Sequence, residues 1–312
     1  PYVQFFGDYE MQYIGTYGAK GIKPAWTSKL YKDNMTAFLH SDWSKNQTFM
    51  FINSRGPSNH AHQDDNNIFL SSMDRTLLTD QGVGTYDVGN YQREWLTSTI
   101  AHNTVEINGK SQTGSGKSGD FGLQGKLYNW TTSSAFDFLS QNTISYREHE
   151  HRRSVTFIKP NLIIVSDRLT PNDLSSENTY KQAWHTPIRG GLVTDGEANT
   201  VKTNFATGAN LYIASVQNEA KLVEEMGYFD YGSGQVGEVP FTYFEKENVK
   251  GAQEIDTVLM PYNGTDANVT AERISSGADT PDKTAVKINV QKGSTTEVTY
   301  YILNYEGGTS EF

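Results

Sequence analysis

The chain contains no cysteine. That excludes disulfides, thiolate nucleophiles and cysteine-held metals together, so any metal must sit on histidine and carboxylate. No apolar run is long enough to span a bilayer. Sustained helical periodicity is missing too; the best stretch is "QNEAKLVEEM" (217–226), expected to form one short helix. Positive charge is in deficit, with 26 Lys and Arg against 36 Asp and Glu and a formal charge of −10. Nucleic acid and anionic membrane are therefore poor partners, although a local basic site could still take an anionic sugar polymer. There is no internal repeat, low-complexity tract or evident linker. The chain starts at Pro1 without a signal peptide, as expected of a processed, trimmed or cleaved product.

What is present is strand-like. Hydrophobic residues make up 36% and aromatics 12%, including 18 Tyr, in 312 residues, enough for one large all-β unit or two ordinary domains. The segments 47–54, 67–73, 75–80, 102–109, 152–169, 209–217, 285–291 and 297–305 are rich in Val, Ile, Thr, Tyr and Phe. Gly, Asn, Asp or Pro punctuates them at the spacing of antiparallel sheets, with "KPN" and "NGK" as tight turns. Two Gly/Ser-rich stretches, 109–122 and 229–241, read as long loops. The expected fold is all-β: a large, antiparallel, multi-sheet β-sandwich.

Histidine is scarce, seven in all, yet "GPSNHAHQDDNNIFL" (56–70) places two of them one residue apart before two aspartates. On an extended strand, His60 and His62 share a face. Mutual repulsion favours their neutral forms, which a metal ligand or general base requires. A strand start with merely hydrogen-bonding imidazoles fits the pair equally well. Two further segments add weight: "RTLLTDQG" ends an apolar strand on Asp80, and "STIAHNTVEING" opens another with His102. His62, Asp80 and His102 would form a His2Asp set suited to Zn2+ with one open position, although separations of 18 and 22 residues carry no zinc signature of their own.

"HAHQDDNNIFL", "LLTDQG" and "AHNTVEINGKSQ", in that order, resemble the heparinase II/III-like polysaccharide lyases. The likeness continues in 151–169, 182–187, 227–240 and 256–262, and so covers most of the chain. It implies the C-terminal β-sandwich of such an enzyme, with Zn2+ on His62, Asp80 and His102 bracing the strands beside the cleft. His60 matches the histidine that faces substrate, and Tyr91 falls where cleft-lining tyrosines occur; Tyr86 is a second candidate. The implied reaction is β-elimination on a uronate polysaccharide, in which His and Tyr serve as base and acid while Asn, His or Arg neutralises the carboxylate. Arg55 and Arg93, which flank these segments, could meet a uronate carboxylate or make surface ion pairs. The family's N-terminal α/α toroid has no counterpart here. Residues 1–25 are therefore expected to be the remnant of its connection and 26–312 the sandwich, with the toroid, in cis or as a separate chain, supplying half of the site. Secretion or periplasmic location is implied by the family alone.

Two rivals stay open: a non-catalytic, zinc-braced carbohydrate-binding or structural sandwich, and a zinc hydrolase, which lacks an evident carboxylate base beside the ligands. His151 and His185 are expected to be structural histidines, and His40 and His149 packed or solvated ones. Tyr228, Phe229 and Tyr231 could stack on sugars, but core packing is expected for them. The run Asp64–Asn67 lacks the Gly and Glu offsets of a calcium loop.

Overall fold

Alternating burial along "TFMFIN" and "IFLSS" shows how the outer sheet forms: Met50, Ile52, Ile68 and Leu70 point inward, while Phe49, Phe51 and Phe69 lie half-buried on the other face. The computed structural model describes residues 8–54, 62–87, 89–112, 125–143, 145–187, 191–216, 219–264, 269–274, 283–292 and 294–305. Every sheet is antiparallel. The first has five strands in chain order, β1 (Lys29–Tyr31), β2 (Thr36–His40), β3 (Thr48–Asn53), β4 (Ile68–Ser72) and β5 (Arg75–Leu78). β6 (Val105–Ile107) joins a four-stranded sheet ordered β15-β16-β11-β6, with β11 (Asn178–Trp184), β15 (Lys221–Asp230) and β16 (Val236–Val249). The eight-stranded central sheet is ordered β12-β13-β14-β17-β10-β9-β8-β7. It comprises β7 (Leu127–Thr132), β8 (Phe136–Thr143), β9 (His149–Ile158), β10 (Leu162–Pro171), β12 (Leu192–Asp195), β13 (Thr200–Thr203), β14 (Ala209–Ser215) and β17 (Gln253–Asn263). A three-stranded sheet, β18 (Val269–Arg273), β19 (Lys283–Lys292) and β20 (Thr295–Asn304), completes the fold. Among the described residues the α-helices are two short ones, α1 (Tyr9–Gly15) and α2 (Tyr91–Leu96).

The central sheet is sandwiched. One face meets the first sheet and the four-stranded sheet through Leu139, Val155, Phe157, Ile163, Val165 and Ile213, against Met50, Ile68, Leu77, Tyr180 and Trp184. Its other face meets the three-stranded sheet, where Ile164, Val258 and Met260 pack with Val286, Ile288 and Tyr301. Both faces of β10 are thus covered, and "LIIVS" is accordingly a continuous apolar run.

All eight segments expected as strands carry one. Two other expectations are corrected. "QNEAKLVEEM" is not helical: Lys221–Asp230 is an edge strand paired with β16 over ten residues. Tertiary pairing overrides the helix propensity of Glu, Lys and Leu there, and the charges suit a sheet edge. The 229–241 stretch is a hairpin whose turn is short: Tyr231 N–H donates to Gln235 O at 2.8 Å, and Gly232, Ser233 and Gly234 all have positive φ. The other long-loop expectation, 109–122, falls largely outside the described residues.

Inside the sandwich lies a fully buried ion pair. Arg153 on β9 and Asp167 on β10 are both fully buried and directly opposed in register. Arg153 Nε and Nη2 bind the two carboxylate oxygens at 2.7 and 2.6 Å, a fork-on-fork pair. His151 and Gln182 add bonds to the same carboxylate at 2.8 and 2.7 Å. Burial alone would raise the Asp167 pKa, but Arg153 and His151 outweigh it and hold the carboxyl well below its ordinary range.

Removing one partner strands the other charge in the core. Arg153→Met should therefore destabilise the protein by about 3–5 kcal/mol. Pairing it with Asp167→Leu should cost clearly less than the sum of the single changes. Denaturant unfolding of the three variants measures both.

Candidate metal centre and its aromatic wall

Three chain segments end together above this pair. His62 does not lie on a strand, contrary to the extended arrangement expected for His60 and His62; it sits in a loop that runs to Asn67, ahead of β4. That loop turns at Asn66, whose φ is +63°. Asp80 follows β5, and His102 ends a 3-10 turn over Thr99–Ala101, three residues before β6. One ligand atom from each of the three lies within 4.8 Å of the others. His62 Nδ1 is 3.0 Å from His102 Nε2, and Asp80 Oδ2 is 3.9 Å from the same nitrogen.

The donor set fits a metal ion. Tetrahedral zinc with bonds near 2 Å separates its ligand atoms by about 3.3 Å, between the 3.0 and 3.9 Å separations found. Burial, the largest effect, lowers the pKa of His62, with Asp80 opposing it, so the neutral, ligating form is favoured. The His102 side chain is fully buried, whereas that of Asp80 is 43% exposed. The cup is closed behind and open in front.

Two asparagines hold the three segments. Asn67 Nδ2 donates to Asp80 Oδ2 at 3.4 Å, and its Oδ1 accepts from Asn103 N at 2.9 Å. Asn103 Nδ2 donates to Ile68 O and Thr79 O at 2.8 and 2.9 Å, while its Oδ1 accepts from His185 N at 2.7 Å. Beneath them, Arg153 Nη1 donates to Asn66 O and Asn103 O at 2.6 and 2.7 Å. The buried ion pair is thus wired to both histidine-bearing loops. His151 and His185 are structural, as expected: His185 Nε2 donates to Ile100 O at 2.8 Å, and burial depresses its pKa to about 3. His149 is buried against Asn178, and His40 is half-buried on Gln47. Asp65 serves the fold, accepting from Thr143 Oγ1 and Ser145 Oγ.

Beside the cup stands helix α2, capped by Asn90 Oδ1 on the amides of Gln92 and Arg93. Tyr91 opens it, 65% exposed, with its ring edge-on to Tyr228 at 5.9 Å. Trp95 packs edge-on against Tyr228, His185 and Phe241. Arg93 makes no ion pair among the described residues; it donates to Thr85 O at 2.8 Å and stacks 4.8 Å over the ring of the exposed Tyr86. Arg55 and His60 lie outside the described residues. Core packing was expected of the 228–231 aromatics, but Tyr231 is half exposed and Tyr228 and Phe229 are only partly covered.

The β15–β16 hairpin pins this wall. Asp230 N donates to Gln81 O at 2.9 Å, and its Oδ2 accepts from Gly84 N at 2.9 Å, fastening the loop between Asp80 and Tyr86. Gly82 and Gly227 permit the fit: a Cβ on Gly82 would meet Asp230 at 2.7 Å, and one on Gly227 would meet the Trp95 ring at 2.3 Å. Sequence reading missed Asn67, Asn103, Trp95 and Asp230. Asn103 alone left a signal, a polar side chain at the mouth of an apolar strand.

Gly227→Ala should displace Trp95 and destabilise the protein by about 1–3 kcal/mol, the usual range for overpacking. Near-ultraviolet circular dichroism and thermal unfolding, with Trp95→Phe as the spectral control, check it. An unchanged Trp95 signal would mean that the hairpin does not clamp the helix.

Comparison with known proteins agrees with this architecture. The family described as "Heparinase II/III-like, C-terminal" matches residues 33–279. A heparin-sulfate lyase of Pedobacter heparinus is 26% identical over 275 residues, covering 86% of this chain and 40% of that protein. A heparin-sulfate lyase of Bacteroides stercoris is 28% identical over 208 residues, covering 64% and 29%. The crystal structure of the heparan sulfate lyase HepC from Pedobacter heparinus superposes with a TM-score of 0.83 at 24% identity, over 99% of this chain and 47% of that one. The chain spans less than half the length of each of these relatives. With the match extending from residue 33 to residue 279, the chain belongs to the heparinase II/III-like C-terminal family.

Proposed function

We propose that residues 26–312 are the β-sandwich portion of a polysaccharide lyase that cleaves a uronic-acid-containing polysaccharide by β-elimination. Residues 1–25 would lead in from an α/α toroid, in cis or on a separate chain, and a secreted or periplasmic enzyme would meet such a polymer. The observation that carries the reading is the convergence of His62, Asp80 and His102 beside a wall of exposed Tyr86 and Tyr91 with Arg93, in a member of this family. The names of the relatives, heparin-sulfate lyases, support a polysaccharide as the substrate class.

In such an elimination a base removes the proton on C5, α to the uronate carboxylate. Its electrons form the C4=C5 double bond, the C4–O bond breaks, and the departing oxygen takes a proton. His60 and Tyr91 are the base and acid we assign to this chain. Arg93 is suited to the carboxylate: one edge of its guanidinium is spent on Thr85 O, and stacking on Tyr86 orients the remainder. Tyr86 itself offers an exposed face for a sugar ring, and Arg55 is the second cation assigned to substrate. Zinc, held by His62, Asp80 and His102, would supply cross-linking of three segments that otherwise meet only through hydrogen bonds.

Metal analysis should find about one zinc per chain. His62→Ala or Asp80→Ala should lower both zinc content and melting temperature, because metal binding free energy is also folding free energy. A metal-free protein with unchanged stability in these variants would remove the zinc assignment.

The full-length protein, incubated with a panel of uronate polymers, should release product with the ultraviolet absorbance of an unsaturated uronate. His60→Ala should abolish that turnover while keeping zinc. Residues 1–312 alone should show negligible activity, because carboxylate neutralisation, base and acid must act together. Zinc and sugar binding without turnover in the full-length protein would instead favour a non-catalytic, zinc-braced sandwich.

A further inference from the structure

The face of the central sheet that turns away from the metal centre carries a second concentration of charge. Register aligns Asn142, Arg152, Arg168 and Glu254 in one row across β8, β9, β10 and β17. Arg168 is four residues from Ile164 along β10, so this row lies on the side that packs against the three-stranded sheet, opposite Arg153 and Asp167.

Arg152 is the centre of the row. Its guanidinium lies 3.8 Å from the ring centroid of Tyr128 and 4.9 Å from that of Tyr305. Arg168 stands 5.7 Å from Tyr305, and Lys126 Nζ lies 4.6 Å from Tyr128. Nε of Arg152 donates to Ser140 Oγ at 2.9 Å, which fixes the plane of the group. Its two terminal nitrogens have no hydrogen-bond or ion-pair partner among the described residues, and the side chain is half-buried.

The carboxylates nearby are engaged elsewhere. Glu150, two residues before Arg152 on β9, accepts from Tyr128 Oη at 2.5 Å and Asn142 Nδ2 at 2.6 Å. Glu254 pairs with Arg273 at 3.0 Å. Around Arg152, Lys126 and Arg168 add positive charge and Glu150 negative charge, on a chain whose formal charge is −10. Burial lowers the pKa of Arg152, as expected of a cation that is partly desolvated without a matched anion.

A role confined to holding Tyr305 would account for the stacking but not for the unfilled nitrogens or for Lys126, whose ammonium lies over Tyr128. A guanidinium already flattened between rings has lost its ordering entropy in advance and keeps a two-pronged edge for an oxyanion. We propose that Arg152, flanked by Lys126 and Arg168 and framed by Tyr128 and Tyr305, binds a sulfate or carboxylate group of an acidic polysaccharide at a second site, on the sheet face opposite His62, Asp80 and His102. The choice of polysaccharide rests on the function proposed above; the oxyanion site rests on this geometry. A polymer held at two points stays on the protein when one contact lets go.

The test follows the Arg152 Nε–Hε resonance in arginine-labelled full chain, assigned through Arg152→Lys. The probes are a sulfated uronate oligosaccharide, inorganic sulfate and a neutral oligosaccharide. The sulfated oligosaccharide should shift the resonance saturably, inorganic sulfate should do so only at higher concentration, and the neutral sugar not at all. Arg152→Gln should weaken oligosaccharide binding at least about tenfold, as expected for loss of a charge-assisted forked contact, and added salt should weaken it further. Lys126→Ala, at an exposed side chain, should weaken it severalfold without lowering the melting temperature, and it decides the matter if Arg152→Gln fails to fold. A resonance that the oligosaccharide leaves unmoved, or equal binding by Lys126→Ala and wild type, overturns the site. A response to sulfate but not to the oligosaccharide overturns the polysaccharide as its source. Neither zinc nor turnover is read, so failure of the lyase reading leaves this result independent.

Discussion

Arg153 can sit at the centre of the sandwich because each of its three nitrogens is met. Asp167 takes the forked edge, and the carbonyls of Asn66 and Asn103 take the third nitrogen. Those carbonyls belong to the loops that present His62 and His102. The requirement to satisfy a buried cation therefore fixes where both histidines stand. Gln182 extends the same network into the four-stranded sheet, since its amide reaches Asp167 and its carbonyl oxygen accepts from Thr257 and Trp184. Apolar packing brings three sheets together, and this polar wedge sets their register at the point where the ligands emerge.

A division of labour follows from where side chains could be spared from the core. Strand interiors are committed to packing: Ile68 and Leu70 on β4, and Leu77 and Leu78 on β5, are fully buried. The candidate ligands lie just outside the strands, where the backbone leaves the ladder and its groups need partners. Asn67 and Asn103 provide those partners with side chains that donate and accept at once, which Asp, an acceptor only when ionised, could not do. Asn67 and Asn103 are thereby tied to the strands on either side of them.

Much of this was legible in advance, for physical reasons. The "KPN" turn at 159–161 defines a hairpin in which paired positions sum to 320, as in Ile158 with Leu162. That arithmetic sets Arg153 against Asp167, but with Arg152, Ser154, Ser166 and Arg168 beside them in the chain, their burial shows only once the sheets pack. The Asp80 segment could be found because a carboxylate closes an apolar strand, and the His62 and His102 segments because histidine is scarce in this chain; the structure brings the three to one cup. What was not legible depended on partners distant in the chain. Lys221–Asp230 has a helical composition and becomes a strand only because β16 lies beside it. Asp230 looks like a turn residue until Gln81 and Gly84 are placed against it. Trp95 reveals its role only when Gly227, on another sheet, makes room for its ring.

The asymmetry of the centre is the last consequence of this arrangement. His102 is sealed by the sandwich, while the exposed carboxylate of Asp80 faces outward, toward the side where Tyr86, Tyr91 and Arg93 stand. The wall itself is built from α2 and the loop after Asp80, and the β15–β16 hairpin supports it from behind through Trp95 and Asp230. These braces come from the sandwich side, and Tyr86 and Tyr91 remain largely exposed. A wall braced by the sandwich that keeps aromatic and cationic groups exposed suits a cleft closed by a second element, as in the proposed lyase. The proposed lyase would use this side for the catalytic groups assigned to its α/α toroid.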